Sequence, residues 1–357
     1  MMGGSRPEVT IGSDRPRTPA SIQPGKLPDK PVRQISNGTR TKIQHTATKP
    51  KNLIAMPVQQ TNRNFQLNST VPKSISAHPV WHGKTLTSAA VAKKTGVAGP
   101  PVRAKALYCV DCSSNKVMLA ENTCVPLPIA SISKLVTAMI VVEEMDLDRV
   151  VEVPGDISQV ERHVVGIKPG DQLSVRDLLH GLLIESGNDC AETLARAYPK
   201  GSKDGFVAAM NRKAVALGAT TINFHTPSGL DSKTILGRKD GRYLEARKAN
   251  TASAEDVAVI ARAAFKNPLI SKISSTRTHT MRTRNWIPRD YALVSNDKLL
   301  AKNLPLVGAK TGYTNQAGRC IVALFKDKEK EHMVVVLNSP NHFQAAEKVY
   351  RWAHKRM

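Results

Sequence analysis

Residues 128–139 read Pro128-Ile129-Ala130-Ser131-Ile132-Ser133-Lys134-Leu135-Val136-Thr137-Ala138-Met139. From Ser131 onward, apolar residues recur at Ile132, Leu135, Val136, Met139, Ile140 and Val142, and this spacing predicts a helix over 131–145. Ser131 then stands at the helix N-terminus, with Lys134 one turn later on the same face. A serine hydroxyl is a weak nucleophile and needs an adjacent base. A lysine desolvated in a pocket near other cations can supply one as a neutral amine. The helix start adds unpaired backbone N–H groups where an oxyanion would form. Alone, the S-x-x-K spacing is ordinary, because a serine cap followed by a lysine suits any helix.

On the N-terminal side, Ala104 to Asp111 and Lys116 to Glu121 read as two strands around a Ser113-Ser114-Asn115 turn. On the C-terminal side, Ser174 with Asp177 forms a capping box opening a helix through Leu183, and a further helix covers Asp189 to Ala197. Asp204 to Leu217, stopped by Gly218, and Ser253 to Phe265, capped by Ser253 and Asp256, are two more. Asp231 to Asn250 is hydrophilic and basic, and reads as a surface insertion. Lys310 to Thr314, Arg319 to Phe325 and His332 to Asn338 read as strands, the last two joined by polar residues 326–330, and His342 to Lys355 as a terminal helix. Strands at both ends with helices between them predict an α+β fold: one antiparallel sheet flanked by helices, with an inserted helical lobe.

The first hundred residues hold fifteen Lys or Arg against three Asp or Glu, about half of the formal +23 charge, and eleven of the 22 prolines. Such a stretch cannot bury enough apolar surface to offset its ordering entropy, so residues 1–101 read as a disordered basic arm and linker, and 102–357 as the folded domain. A basic arm is attracted to polyanions in general, including an anionic wall polymer. It shows no dedicated nucleic-acid site, since no aromatics interleave its charges and no folded reading element accompanies them. Five cysteines, Cys109, Cys112, Cys124, Cys190 and Cys320, cannot all pair, which argues against a disulfide framework. Cys109 and Cys112 form a C-x-x-C without the second pair that a zinc ribbon needs, and read as core residues. No apolar run is long enough to span a bilayer. The start Met1-Met2-Gly3-Gly4 lacks the pattern of a secretory leader.

Two further stretches change the weight of Ser131 and Lys134. Ser186-Gly187-Asn188 lies between two predicted helices, where a short turn can project a hydroxyl and an amide into a cleft. By itself it would be a helix break with its cap. Lys310-Thr311-Gly312 lies on a predicted strand, where a lysine by itself would be an edge guard. All three in this order make up the set found in penicillin-binding proteins and class A β-lactamases. The match extends through Glu185-Ser186-Gly187-Asn188-Asp189, Thr226-Pro227-Ser228-Gly229-Leu230 and Lys310 to Gly318. From about Val102 onward the chain resembles the low-molecular-mass penicillin-binding family of D-alanyl-D-alanine carboxypeptidases and endopeptidases, with a β-lactamase/transpeptidase-like fold.

The resemblance implies a D,D-peptidase that needs no cofactor, acts on peptidoglycan stem peptides and takes β-lactams as covalent inhibitors. Ser131 would be acylated by the penultimate D-alanine carbonyl, Lys134 would take its proton, and Ser186 would relay a proton to the leaving amine. Asn188 would hold the substrate amide and Lys134, and Lys310 and Thr311 would meet the terminal carboxylate. The oxyanion hole would be the backbone N–H groups of Ser131 and Tyr313, and Gly312 would let the substrate backbone approach the strand. A class A lactamase needs a glutamate that Thr220 to Asp231 do not offer, so slow release of a penicilloyl group is expected. Only 45 residues follow Gly312, which resembles the endopeptidase branch and leaves exo and endo cleavage both open. The resemblance implies work outside the cytoplasm, whereas no export signal is visible. The competing class of function is an inactive wall- or polyanion-binding module on the same fold.

Overall fold

The computed structural model describes residues 98–239 and 242–356, with 234–239 and 242–245 as backbone only. The arm expected over 1–101 therefore lies outside the described residues as far as residue 97. Ala98 already touches the body, accepting a 3.0 Å hydrogen bond from the Trp352 indole.

Five strands form the central antiparallel sheet: β1 (Ala106–Asp111), β2 (Lys116–Glu121), β7 (Leu306–Thr314), β8 (Gly318–Asp327) and β9 (Lys330–Leu337). Their order is β7-β8-β9-β1-β2, so the N-terminal hairpin pairs with the last strand to complete the sheet. Both faces are covered, which explains why the central strands read as continuous apolar runs. In β8, Cys320, Val322 and Leu324 face one core, and Ile321, Ala323 and Phe325 face the other. The second core lies under α7 (His342–His354), where Tyr350 stacks on Phe325 with ring centroids 4.2 Å apart.

The first core is filled by α1 (Lys134–Glu144) and α5 (Ala254–Lys266), and extends into the lobe of α2 (Val175–Ile184), α3 (Asn188–Arg196) and α4 (Lys203–Ala216). Both serines cap their helices, Ser174 Oγ accepting from Asp177 N at 3.0 Å and Ser253 Oγ from Asp256 N at 3.1 Å. The reciprocal half of each expected box is replaced: Asp177 accepts from the Ser174 hydroxyl, and Ser253 N donates to Thr221 Oγ1. Gly218 ends α4 in the left-handed region, with φ of 82°. Among the described residues, no helix is long and apolar enough to cross a membrane.

Several elements depart from the sequence reading. The helix expected from Ser131 begins only at Lys134. Residues Ala130–Ser133 form a 3-10 turn entered through Ala130, whose φ of 48° breaks regular helix geometry. The insertion at 231–250 is a two-stranded ribbon, β3 (Ser232–Lys239) and β4 (Arg242–Lys248). The strands at the C-terminal end are longer than expected, because Asp327 pairs with Lys330 and leaves only Lys328 and Glu329 as the turn. Two of the longer elements were not expected at all. α6 (Pro268–Ser274) is capped by Asn267, which accepts from the backbone of Leu269 and Ile270, and a hairpin pairs β5 (Thr278–Arg282) with β6 (Asp290–Val294).

Candidate active site

β7 is an edge strand, and the turn carrying Ser131 packs beside it. Two glycines allow that approach. A Cβ on Gly312 would lie 2.6 Å from the Ile129 carbonyl oxygen and 3.1 Å from Ser131 N. A Cβ on Gly229, whose φ is 82°, would lie 2.1 Å from the Ala130 carbonyl oxygen. The peptide leading into Ser131 is thus clamped from both sides by backbones that only glycine can bring so near. Ser131 is half-buried, and its hydroxyl makes no capping bond to the helix.

Lys134 is fully buried on the first turn of α1. Its Nζ lies 2.8 Å from Ser131 Oγ, 2.7 Å from Asn188 Oδ1 and 2.6 Å from the Ser228 carbonyl oxygen. Burial first, and then the charge of Lys310, hold its pKa well below the ordinary lysine value. Lys134 Nζ donates to all three oxygens, while the Ser131 hydroxyl makes a long 3.4 Å bond to the Ser228 carbonyl. A lysine that has lost one proton would keep the two bonds to the carbonyl oxygens and turn its lone pair to the Ser131 O–H.

Asn188, at the start of α3, holds this arrangement to the opposite wall. Its Nδ2 donates to the carbonyls of Glu161 and Arg162 at 3.1 and 2.8 Å, and its backbone N–H donates to His163 O at 2.8 Å. Arg162 and His163 both have positive φ, so Asn188 fixes a loop that has little freedom of its own. Both amide hydrogens are occupied, so a contact to a substrate amide would have to use the remaining lone pair of Oδ1 or exchange one of these bonds.

Ser186 lies in the turn between α2 and α3 with φ of 64° and is buried. Lys310 Nζ, on β7, donates to Ser186 Oγ at 2.8 Å and to Thr311 O at 3.1 Å. Although Lys310 is on an edge strand, it is 2% exposed and points into the cleft, not to solvent as an edge guard would. Burial pushes its pKa down to about 7, opposed by the nearby Asp297 carboxylate, which burial in turn pushes up to about 6. Thr311 Oγ1 donates to Asn296 Oδ1 at 3.1 Å, and Tyr313 stands 45% exposed at the mouth. Ser131, Ser186, Thr311, Gly312 and Tyr313 share a cleft of about 250 Å³ with His163, Asn296 and Arg319 among its walls.

The structure brings all eight sequence-derived residues together: Ser131, Lys134, Ser186, Asn188, Lys310, Thr311, Gly312 and Tyr313. It adds three that no site role had been given. Ser228 supplies a carbonyl to Lys134, Gly229 makes room for the Ser131 peptide, and Asn296 anchors Thr311. Ser228 and Gly229 could have been found from the Pro-Ser-Gly turn. Asn296 had no signal, because its position depends on a hairpin that the sequence did not reveal.

The cysteines play no part in this cleft. None of the five is in a disulfide, Cys124 is the exposed one, and burial pushes the Cys112 and Cys320 thiols up to about 11. Among the described residues, no group of three or more His, Cys, Asp or Glu side chains is arranged to hold a metal ion.

The sequence pattern of the peptidase S11 family, described as D-alanyl-D-alanine carboxypeptidase, matches residues 93–341. The chain belongs to the D-alanyl-D-alanine carboxypeptidase family of serine peptidases. It is 32% identical to the D-alanyl-D-alanine carboxypeptidase DacB2 of Mycobacterium tuberculosis over 248 residues, 68% of this chain and 79% of the relative. It is also 32% identical to a D-alanyl-D-alanine endopeptidase of Pseudomonas aeruginosa, over 68% of this chain and 74% of the relative. The crystal structure of a D-alanyl-D-alanine carboxypeptidase from M. tuberculosis superposes with a TM-score of 0.64 at 31% identity, covering 72% of this chain and 94% of that one. The Streptomyces K15 DD-transpeptidase, at 24% identity and TM-score 0.64, shares the fold. The α+β, transpeptidase-like architecture and the serine D,D-peptidase activity expected from the resemblance are those of this family.

Proposed function

We propose that Ser131 is the acylated nucleophile of a D,D-peptidase acting on peptidoglycan stem peptides, with Lys134 as its base. The observation that carries this reading is the 2.8 Å contact between Lys134 Nζ and Ser131 Oγ, in a site where burial and Lys310 keep Lys134 short of its usual charge. Ser131 Oγ attacks the carbonyl carbon of the penultimate D-alanine, and its proton passes to Lys134. The developing oxyanion meets the backbone N–H groups of Ser131 and Tyr313. As the C–N bond breaks, the proton is delivered through Ser186 to the leaving amine, and water then hydrolyses the acyl-enzyme. Lys310 and Thr311 receive the substrate's terminal carboxylate, and Gly312 lets its backbone lie along β7, whose unpaired edge suits an added strand.

The leaving amine is either a terminal D-alanine or the residue that cross-links two stems. Incubation with purified muropeptides distinguishes the two, by loss of D-alanine or by opening of cross-links. Covalent labelling by a fluorescent penicillin tests the nucleophile. Ser131→Ala should abolish it without loss of folding, because the hydroxyl caps no helix. Persistent labelling of that variant would overturn the assignment.

The family's substrate calls for action outside the cytoplasm. The excess of Lys and Arg in residues 1–101 supports a role for that arm as an electrostatic tether to anionic wall polymer. Removal of residues 1–97 should leave turnover of a small soluble D-alanyl-D-alanine peptide nearly unchanged. It should weaken retention on isolated wall, and the full chain's retention should fall with salt.

A further inference from the structure

The hairpin of β5 and β6 ends in Arg282-Thr283-Arg284-Asn285-Trp286-Ile287-Pro288-Arg289. Trp286 is 98% exposed and Ile287 82% exposed. Scattered exposed apolar residues need no explanation, but two adjacent large ones followed by proline at a hairpin tip do.

This tip is not a loose loop. Thr283 N donates to Arg289 O at 2.9 Å, and Arg289 N donates back to Thr283 Oγ1 at 2.8 Å. Arg284 N donates to Gln172 O at 2.7 Å. The Asn285 side chain accepts from Gln172 N at 2.9 Å and donates to Gly170 O at 3.0 Å. The guanidinium of Arg289 and the hydroxyl of Tyr291 both engage the buried Asp171 carboxylate. The polar groups of the loop therefore bind the body and leave the indole, the Ile287 side chain and the Pro288 ring pointing outward. Exposed Arg284 and Arg282 flank them, and exposed Lys168 lies on the adjoining turn; Asp290, loosely paired with Arg282 at 3.6 Å, is the acid in this stretch.

We infer that the 282–289 tip docks this enzyme on an anionic lipid surface, with Trp286 and Ile287 entering the headgroup region and Arg282, Arg284 and Lys168 facing lipid phosphates. Trp favours that interface because its ring is apolar and its N–H can stay hydrated, and a cationic collar adds attraction to anionic lipid. A sugar-binding tip would instead leave amide or acidic side chains free beside the ring, whereas Asn285 and Arg289 are committed to the fold. From the tip, β6 runs five residues, about 17 Å at a strand's rise, and Asn296, two residues beyond its end, lines the cleft. Docking would therefore hold the cleft at a fixed height above the bilayer.

The test uses the full chain carrying Trp81→Phe and Trp352→Phe, so that Trp286 is its one tryptophan. With phosphatidylglycerol-containing vesicles, Trp286 emission should move to shorter wavelength and be quenched by brominated acyl chains. In sedimentation, Trp286→Ser/Ile287→Ser should reduce partition about tenfold or more, given the area withdrawn from lipid, while penicillin labelling stays unchanged. Arg284→Glu should lower the preference for phosphatidylglycerol over phosphatidylcholine. Three results would each overturn the proposal: a chain that sediments with Trp286 unshifted and unquenched, as binding by the basic arm alone predicts; a Trp286 shift with isolated glycan strands but not with vesicles; or a shift that follows protein concentration without lipid, as pairing of two copies would give.

Discussion

Lys310 Nζ donates a 2.8 Å hydrogen bond to Ser186 Oγ, joining the edge strand to the left-handed turn at the end of α2. Lys134, by contrast, meets Ser131, Asn188 and Ser228. Two buried lysines thus serve different hydroxyls, and their removal should fail in different ways. On the proposed assignment Lys310 meets a ligand carboxylate in the ground state as well as the transition state. Lys310→Ala should therefore raise KM and weaken carboxylate-bearing penicillins far more than their esters. Lys134→Ala should slow acylation by both, by about 10²–10⁴-fold, the usual range for a lost proton-transfer group. Acylation rates of the two variants with matched acid and ester ligands decide it. Equal slowing of both ligands by Lys310→Ala, with Lys134→Ala selective for the acid, would exchange the roles.

Gly229→Ala should disable the nucleophile without touching it. The added methyl would overlap the Ala130 carbonyl, and the backbone there already has positive φ. Strain and overpacking together predict a loss of roughly 2–5 kcal/mol, or a displaced Ser131 if the turn yields instead. Either outcome appears as slower penicillin labelling, with melting temperature separating them. Gly155→Ala, with nothing near its Cβ and no positive φ, is the matched control and should change neither.

These two positions also show how far the sequence could be read. Apolar periodicity and capping pairs such as Ser174 with Asp177 are local signals, so the main helices and the central strands were legible to within a few residues. The clamp on Ser131 was not, because it depends on where residues 129–131, 229 and 312 meet across about 180 positions of chain. Ala130 gave no warning either, since an alanine at positive φ is chosen by its surroundings and not by its own preference. The β5–β6 hairpin escaped notice because Thr278–Arg282 buries one residue in five, which leaves no alternating apolar pattern.

The pH dependence of acylation should differ between acid and ester ligands. With its pKa near 7, Lys310 in the free enzyme is charged below that pH and loses its charge above it. The ratio of kcat/KM for an acid ligand to that for its ester should be flat below about pH 7 and fall above it, approaching tenfold per unit. Lys134 must be neutral to act, so acylation by the ester, which does not depend on Lys310's charge in this way, should rise with pH to a plateau. A ratio independent of pH between 6 and 9 would remove Lys310 as the carboxylate anchor.

The same buried groups should shape stability in opposite directions. Asp297 has its pKa raised to about 6 from an ordinary 3.8, so between these values the folded chain holds a proton that the unfolded chain has released, and stability falls as pH rises. Lys310 has its pKa lowered to about 7 from 10.5, so between these values the unfolded chain holds the extra proton, and stability rises with pH. Together they predict a minimum near pH 6–7, with the Lys310 limb worth roughly 2–5 kcal/mol by pH 10. Asp297→Asn keeps an oxygen for the Leu299 N–H, now accepted at 2.8 Å, and should flatten the acid limb while moving the start of the Lys310 limb to lower pH, because the carboxylate that opposes the fall of the Lys310 pKa is gone. Lys310→Met should lower the slope of the alkaline limb and leave the part that Lys134, also held below its ordinary pKa by burial, contributes with the same sign. Denaturant unfolding of wild type and both variants at half-unit steps from pH 4 to 10 tests this, and a Lys310→Met curve parallel to wild type above pH 7 would show that the lysine stays charged in the fold.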